Sequence, residues 1–155
     1  KILNFSKREI IRITKKIGSD VQLGLDYKNK ILYSSGKIKT STRKKGLFVI
    51  IIQPNFGCST KAIYRGIKKY SPKKLKTSRR NYFNFINILK LQNDLEKVVF
   101  KNYPKLIQVK SYMQCLPDIL FVRMTGSGSS MLGYFLTKNS AINAANLFKK
   151  KYKNY

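Results

Sequence analysis

The residues with the most chemical potential in this chain lie in Arg123-Met124-Thr125-Gly126-Ser127-Gly128-Ser129-Ser130. Two glycines alternate there with hydroxyl residues. Apolar runs flank them, Asp118-Ile119-Leu120-Phe121-Val122 before and Met131-Leu132-Gly133-Tyr134-Phe135 after. Glycine lets a backbone curl until consecutive N–H groups converge on an anion, and lets a ligand approach closely. On the residues alone two readings stand: a β-hairpin turn carrying hydroxyls, or a concavity that receives an anion. Acid–base chemistry must draw on six carboxylates, Glu9, Asp20, Asp26, Asp94, Glu96 and Asp118. Histidine is absent, which excludes a histidine base, a Ser-His pair and a histidine metal site within this chain. Asp20 stands in Ile17-Gly18-Ser19-Asp20-Val21, and taken alone it reads as a helix N-cap. Cys58 and Cys115 match no metal-ligand spacing, so no metal site is expected and a reducing compartment is the default.

The charge bears on what such a site attracts. The 33 basic and 6 acidic residues give a formal net charge of +27. Arginine supplies only Arg8, Arg12, Arg43, Arg65, Arg79, Arg80 and Arg123; the rest is lysine. Readers of nucleic-acid sequence lean on arginine forks, whereas scattered lysines act as solvated point charges. We therefore read the charge as a field that draws in phosphorylated substrates. A non-enzymatic nucleic-acid-binding protein is the alternative from another class, and net charge is its sole support. The longest apolar run, Leu47-Phe48-Val49-Ile50-Ile51-Ile52, is too short to span a bilayer, and no signal-peptide pattern is visible. A soluble cytoplasmic protein is expected.

The elements that must position these residues form an α+β pattern. Lys7 to Ile17 reads as an amphipathic helix with Ile10, Ile13 or Thr14, and Ile17 on one face and Gly18 as its stop. Ile31-Leu32-Tyr33 is a short strand candidate, Ser34-Ser35-Gly36 a turn, and composition shifts near Lys44 to Gly46. Leu47 to Gln53 reads as a fully buried strand. Ser59 or Thr60 caps a helix running to about Lys69, and Tyr70 to Arg80 is a basic loop. Helices are expected over Asn81–Leu91, Asn93–Phe100 and Pro104–Met113, the last with Leu106, Val109 and Met113 inward and Pro104 as first residue. Pro117 begins the strand that enters the Gly/Ser loop. A final helix from Ser140 to about Lys151 turns Ile142, Ala145 and Phe148 inward.

Four stretches stand in order: Ile17-Gly18-Ser19-Asp20-Val21, then Pro54-Asn55-Phe56-Gly57-Cys58-Ser59-Thr60-Lys61-Ala62-Ile63-Tyr64, then Asn93-Asp94-Leu95-Glu96, then Arg123 to Ser129. Together they resemble the GHMP small-molecule kinases. Among these, they resemble the branch acting on 4-diphosphocytidyl-2-C-methyl-D-erythritol in the non-mevalonate isoprenoid pathway. The resemblance covers nearly the whole chain. It implies the end of a ribosomal-S5-like N-terminal domain over residues 1–44 and a ferredoxin-like C-terminal domain over 45–155. It also implies ATP and Mg2+ as cofactors and transfer of the γ-phosphate to the substrate's 2-hydroxyl.

In the roles the resemblance assigns, Asp20 is the general base, Tyr64 stacks on the cytosine ring and Thr60 lies on the same approach. The plain alternative for Tyr64 is a half-buried helix tyrosine. Thr125, Gly126, Ser127, Gly128 and Ser129 become the loop closing the phosphate side. Asn93, Asp94 and Glu96 recur in the family, yet read as a helix N-terminus with acidic residues in its first turn. Gln22 departs from the family's proline after Asp-Val, which puts the local turn in doubt but keeps the carboxylate. Nothing here matches the catalytic lysine or the Gly-Gly-Gly-Leu-Gly phosphate loop of the family's first half. The chain therefore reads as a second half that is inactive without its N-terminal partner. Another GHMP kinase, of mevalonate or homoserine type, is disfavoured by the Pro-x-x-Gly-x-Ser-Thr-x-x-x-Tyr segment. Membrane and nucleic acid are not expected partners.

Overall fold

A computed structural model describes residues 5–18, 20–33, 35–41, 46–71, 85–153 and 155. The chain divides into two units, Lys1–Lys45 and Gly46–Tyr155.

In the first unit, helix α1 (Lys7–Ile17) opens on a capping box. The Glu9 N–H donates to Ser6 Oγ at 3.3 Å, and the Ser6 N–H donates back to Glu9 Oε2 at 2.8 Å. Two N–H groups that a helix start leaves without partners are thus satisfied. The same bonds from Ser6 hold the Glu9 carboxyl below its usual range. Gly18 ends the helix, donating to Thr14 O at 3.1 Å. Thr14 is the residue of α1 that is buried; Ile17 lies open. A 3-10 turn, Val21–Leu25, leads to a hairpin of β1 (Asn29–Leu32) and β2 (Ile38–Ser41), antiparallel with Leu32 opposite Ile38. Gly36, at φ +76°, makes the reversal that an L side chain resists. The Lys30 ammonium ties hairpin to turn, donating to Leu23 O at 2.9 Å and pairing with Asp26 at 3.0 Å. Strand β2 was not anticipated, because Ile38-Lys39-Thr40-Ser41 carries one apolar residue in four.

The second unit runs β3 (Phe48–Ile52), α2 (Thr60–Arg65), α3 (Phe85–Lys90), α4 (Glu96–Asn102), α5 (Lys105–Gln114), β4 (Phe121–Met124), β5 (Met131–Phe135) and α6 (Lys138–Lys151). The sheet order is β3-β5-β4, and β5 is antiparallel to both neighbours. Strands β3 and β4 therefore run parallel, with β5 filling the gap between them, a split β-α-β arrangement. The class is α+β, as expected, and the sheets are antiparallel.

One sheet face carries Ile50, Ile52, Val122, Met124, Met131 and Phe135 into a core closed by Val99, Leu106, Val109, Met113, Ala144 and Phe148. The whole expected inner face of α5, Leu106, Val109 and Met113, is buried.

The structure corrects several expectations. Strand β3 is not buried on both faces. It lies at a sheet edge, and Ile51 is 67% exposed while Ile50 and Ile52 are buried. Helix α2 stops at Gly66, well short of Lys69, where a β-carbon would stand 2.4 Å from Val98 Cγ1. Residues 117–120 form a turn ahead of β4 rather than its start, with Asp118 at φ +58°. Helix α6 starts at Lys138, capped by Thr137. It buries Ala141, Ala144 and Phe148, whereas Ile142 is exposed. Pro104 stands just before α5 rather than inside it, and α4 begins at Glu96 rather than Asn93. Most of the basic loop, from Pro72 on, and the start of the helix expected from Asn81 lie outside the described residues.

Candidate functional site

The Gly/Ser loop joins β4 to β5, and its backbone closes on itself. Thr125 N–H donates to Ser130 O at 3.0 Å, and Gly128 N–H to Thr125 O at 3.1 Å. Both glycines have positive φ, +54° at Gly126 and +88° at Gly128. At Gly128 a side chain is excluded twice over, since a β-carbon would also meet Met124 Sδ at 3.0 Å and Cys58 Sγ at 3.2 Å. Burial pushes the Cys58 thiol up, away from the thiolate form that reacts, so Cys58 serves as packing under the loop.

Hydroxyls pin this loop to the segment that follows β3. Ser129 is 2% exposed, and its Oγ donates to Phe56 O at 2.6 Å. Ser130 Oγ bonds to Gln53 Oε1. Thr60 Oγ1 and Ser127 Oγ lie 2.9 Å apart in a hydrogen bond. Thr60 is the first residue of α2, behind a Ser59 cap whose Oγ accepts from Ala62 N–H at 3.4 Å. Ile63 is fully buried and fixes the rotation of this short helix. Tyr64 stands four residues after Thr60, one turn along the same face, and is 53% exposed. An open groove of ≈ 520 Å³ is lined by Tyr64, Tyr70, Tyr134, Asn93, Thr125 and Gly126. Burial pushes the Tyr134 phenol up, with Arg123 pulling the other way.

Thus Thr60, Tyr64 and the stretch Thr125–Ser129 come together within one unit. A flat aromatic surface lines the same groove as the loop, with the Thr60 and Ser127 hydroxyls bonded to each other at the loop, an arrangement that can stack a base beside polar groups. Asp20 belongs to the first unit. It precedes the Val21–Leu25 turn with φ −81° and ψ −21°, and its side chain makes no capping hydrogen bond there. The Leu23 N–H bonds instead to the main-chain oxygen of Asp20 at 2.9 Å, so the N-cap reading of this carboxylate does not hold. Among the described residues no group of three or more Cys, Asp or Glu side chains converges as a metal site.

The Asn-Asp-Leu-Glu stretch stands at a helix start as expected, with Glu96 in the first turn of α4, and its side chains also reach beyond that helix. Leu95 precedes α4 and offers no side-chain cap. The Glu96 carboxylate turns to the sheet instead, accepting Met124 N–H at 2.8 Å and pairing with Lys110 at 2.5 Å. Asp94 accepts from Ser71 N–H at 2.8 Å and from Ser71 Oγ, bonds that hold its carboxyl below the usual range. Asn93 donates to Met124 O at 2.9 Å and to Gly126 O at 2.8 Å. The sequence marks these residues but not their targets, which lie between 14 and 33 positions away.

A family model described as GHMP kinases C terminal matches residues 76–154 of the chain. The chain is similar to the 4-diphosphocytidyl-2-C-methyl-D-erythritol kinase of Pelagibacter ubique (strain HTCC1062), 39% identical over 155 residues, covering 100% of this chain and 55% of that protein. The same-named enzyme of Syntrophomonas wolfei subsp. wolfei is 26% identical over 157 residues, covering 97% of this chain and 55% of the relative. A crystal structure of 4-(cytidine 5'-diphospho)-2C-methyl-D-erythritol kinase superposes with a TM-score of 0.65 at 19% identity, over 91% of this chain and 53% of that one. That likeness shows the shared fold. The chain spans about half the length of the curated relatives it matches.

Proposed function

Because the chain belongs to the GHMP kinases by its C-terminal domain, we propose that it serves the ATP-dependent phosphorylation of the 2-hydroxyl of 4-diphosphocytidyl-2-C-methyl-D-erythritol. In this reading the reaction belongs to non-mevalonate isoprenoid synthesis in the cytoplasm. The observation that carries the reading is the single groove on which Tyr64 and Gly126 meet, with Thr60 bonded to the loop at Ser127. A cytidine diphosphate derivative needs both ends: a ring to stack its base, and N–H and hydroxyl groups for its phosphates.

The first unit is the tail of a ribosomal-S5-like domain, and the second completes a ferredoxin-like one. Asp20 accepts the proton of the attacking hydroxyl, a task that requires a carboxylate within hydrogen-bond reach. Tyr64 stacks on cytosine, and Thr60 flanks it. The loop faces the phosphate oxygens with N–H groups other than those of Thr125 and Gly128, which are held within it, and phosphoryl transfer gains most of its rate from positioning and charge stabilisation of this kind. The donor set fits an anion rather than a bare cation. A magnesium ion would therefore arrive on the nucleotide's phosphates, as is usual for that ion, and ATP supplies the phosphoryl group. The ATP phosphate loop and the lysine come from an N-terminal half of the enzyme.

The test is Tyr64→Ala against Tyr64→Phe in the complete enzyme. Loss of the ring should weaken binding of the cytidine substrate by about 1–3 kcal/mol, the scale of base–aromatic stacking. Phenylalanine should be nearly silent, and ATP affinity should not move. An unchanged affinity for the cytidine substrate in a stably folded Tyr64→Ala protein would remove the stacking platform.

A further inference from the structure

Asn93 sits where one side chain can govern the whole Gly/Ser loop. Its Oδ1 accepts Leu95 N–H at 3.0 Å, which fixes the sense of the amide. Both bonds from Nδ2 then go to loop carbonyls, Met124 O at 2.9 Å and Gly126 O at 2.8 Å. Each carbonyl belongs to a planar trans peptide, whose N–H points opposite to its C=O. For the Met124–Thr125 peptide the opposite direction is visible, because Thr125 N–H reaches Ser130 O at 3.0 Å. For the Gly126–Ser127 peptide, the same geometry turns Ser127 N–H away from Asn93. That peptide is the central one of the Thr125–Gly128 turn, the one whose rotation converts one turn class into another. Such rotation moves ψ of Gly126 and φ of Ser127, and it would carry Ser127, an L residue, to the positive φ that it resists. The bond from Asn93 therefore locks this peptide in the orientation that the turn itself favours.

We propose that Asn93 is the positioning residue of the phosphate loop: it orients the Gly126–Ser127 peptide so that Ser127 N–H is presented to a phosphate oxygen. The proposal rests on the kinase reading above. Asn93 itself touches no phosphate; it acts through the peptide it holds. Its neighbour Glu96 secures the same edge by taking Met124 N–H at 2.8 Å, so strand end and loop are held from one short stretch of sequence.

The test uses Asn93→Asp, which keeps the shape and the acceptor but removes both donors, with two readouts. The first is hydrogen exchange in this chain, comparing residues 125–130 with α5 and β5. We expect faster exchange confined to the loop. The second is kinetics in the complete enzyme, where kcat should fall by about 10- to 100-fold while KM for the cytidine substrate stays within about twofold, the pattern of a lost transition-state contact. If the added carboxylate prevents folding, Asn93→Ala carries both readouts without a charge. Wild-type kcat in a folded variant overturns the proposal and leaves the kinase reading intact. So does protection lost equally from loop and core, which would make Asn93 a general structural contact. Absence of turnover in the unmutated enzyme strikes the kinase reading itself and, with it, the proposal.

Discussion

Glu96 and Lys110 form the pair on which the second unit's stability should depend most visibly. Their side chains are 14% and 19% exposed, and Nζ to Oε2 is 2.5 Å. Charge centres about 4 Å apart attract by about 4 kcal/mol at the effective dielectric near a protein surface. Desolvation consumes much of that, yet removing one partner leaves the other charge stranded, a loss of about 3–5 kcal/mol when burial is complete. Glu96→Gln keeps an oxygen for Met124 N–H, and the residual exposure lets water reach Lys110. We therefore expect a loss of about 2–3 kcal/mol. Lys110→Met should cost a similar amount, and the double variant less than the two losses together, because no charge is then left alone. Urea unfolding followed by far-UV circular dichroism is suitable, since the chain has no tryptophan. With a slope of about 1–3 kcal/mol/M, the midpoint should fall by about 1 M or more. Full additivity of the two losses, or a Glu96→Gln midpoint equal to that of the parent, would refute the account of a buried, mutually dependent pair.

Three further outcomes follow from other positions. Gly133 lies in the central strand opposite Ile50 and Val122, where a β-carbon would meet Ile119 Cδ1 at 2.9 Å, Ile50 Cγ1 at 3.1 Å and Met113 Cε at 3.2 Å. Gly133→Ala should therefore cost about 1–3 kcal/mol by overpacking, while Gly57→Ala, with nothing within 4 Å, should leave the urea midpoint nearly unchanged. In the complete enzyme, Asp20→Asn should lower kcat by about 10²- to 10⁴-fold with substrate affinity kept, as expected for a lost general base; wild-type kcat in that variant would remove Asp20 from the chemistry.

Some of this architecture could be seen in the sequence because it is written locally. Helix α1 has its limits, Lys7 and Ile17, marked by Ser6, Glu9 and Gly18, and the apolar spacing of Leu106, Val109 and Met113 fixes the inner face of α5. Strand β3 could not be resolved this way. Six consecutive apolar residues carry no alternation, so nothing in them says that the helices cover only one face of the sheet. Helix α6 misled for a steric reason. It packs close enough to bury Ala141 and Ala144, and the bulkier Ile142, one residue or about 100° further round, is turned outward. At the candidate site, the Gly/Ser loop stands out by its residue types and Thr60 and Tyr64 through family motifs, and the structure adds the bond between Thr60 and Ser127. The partners of Asn93 and Glu96 were out of reach, because a helix start rich in polar residues looks the same whether its side chains cap the helix or cross to another strand.

Strand β3 also bears on how this chain behaves in solution. It lies at a sheet edge, with Val49 41% and Ile51 67% exposed on the uncovered face. An apolar strand edge is a template for pairing with another copy, and proteins commonly guard such edges with charge. No lysine stands within Phe48–Ile52, while the chain's net charge of +27 makes copies repel at a distance. Repulsion of that kind reaches about 10 Å at 0.1 M salt and about 3 Å at 1 M. Salt added during purification would then strip away the guard while strengthening apolar contact, so colloidal stability should fall with ionic strength even where the folded unit is unharmed.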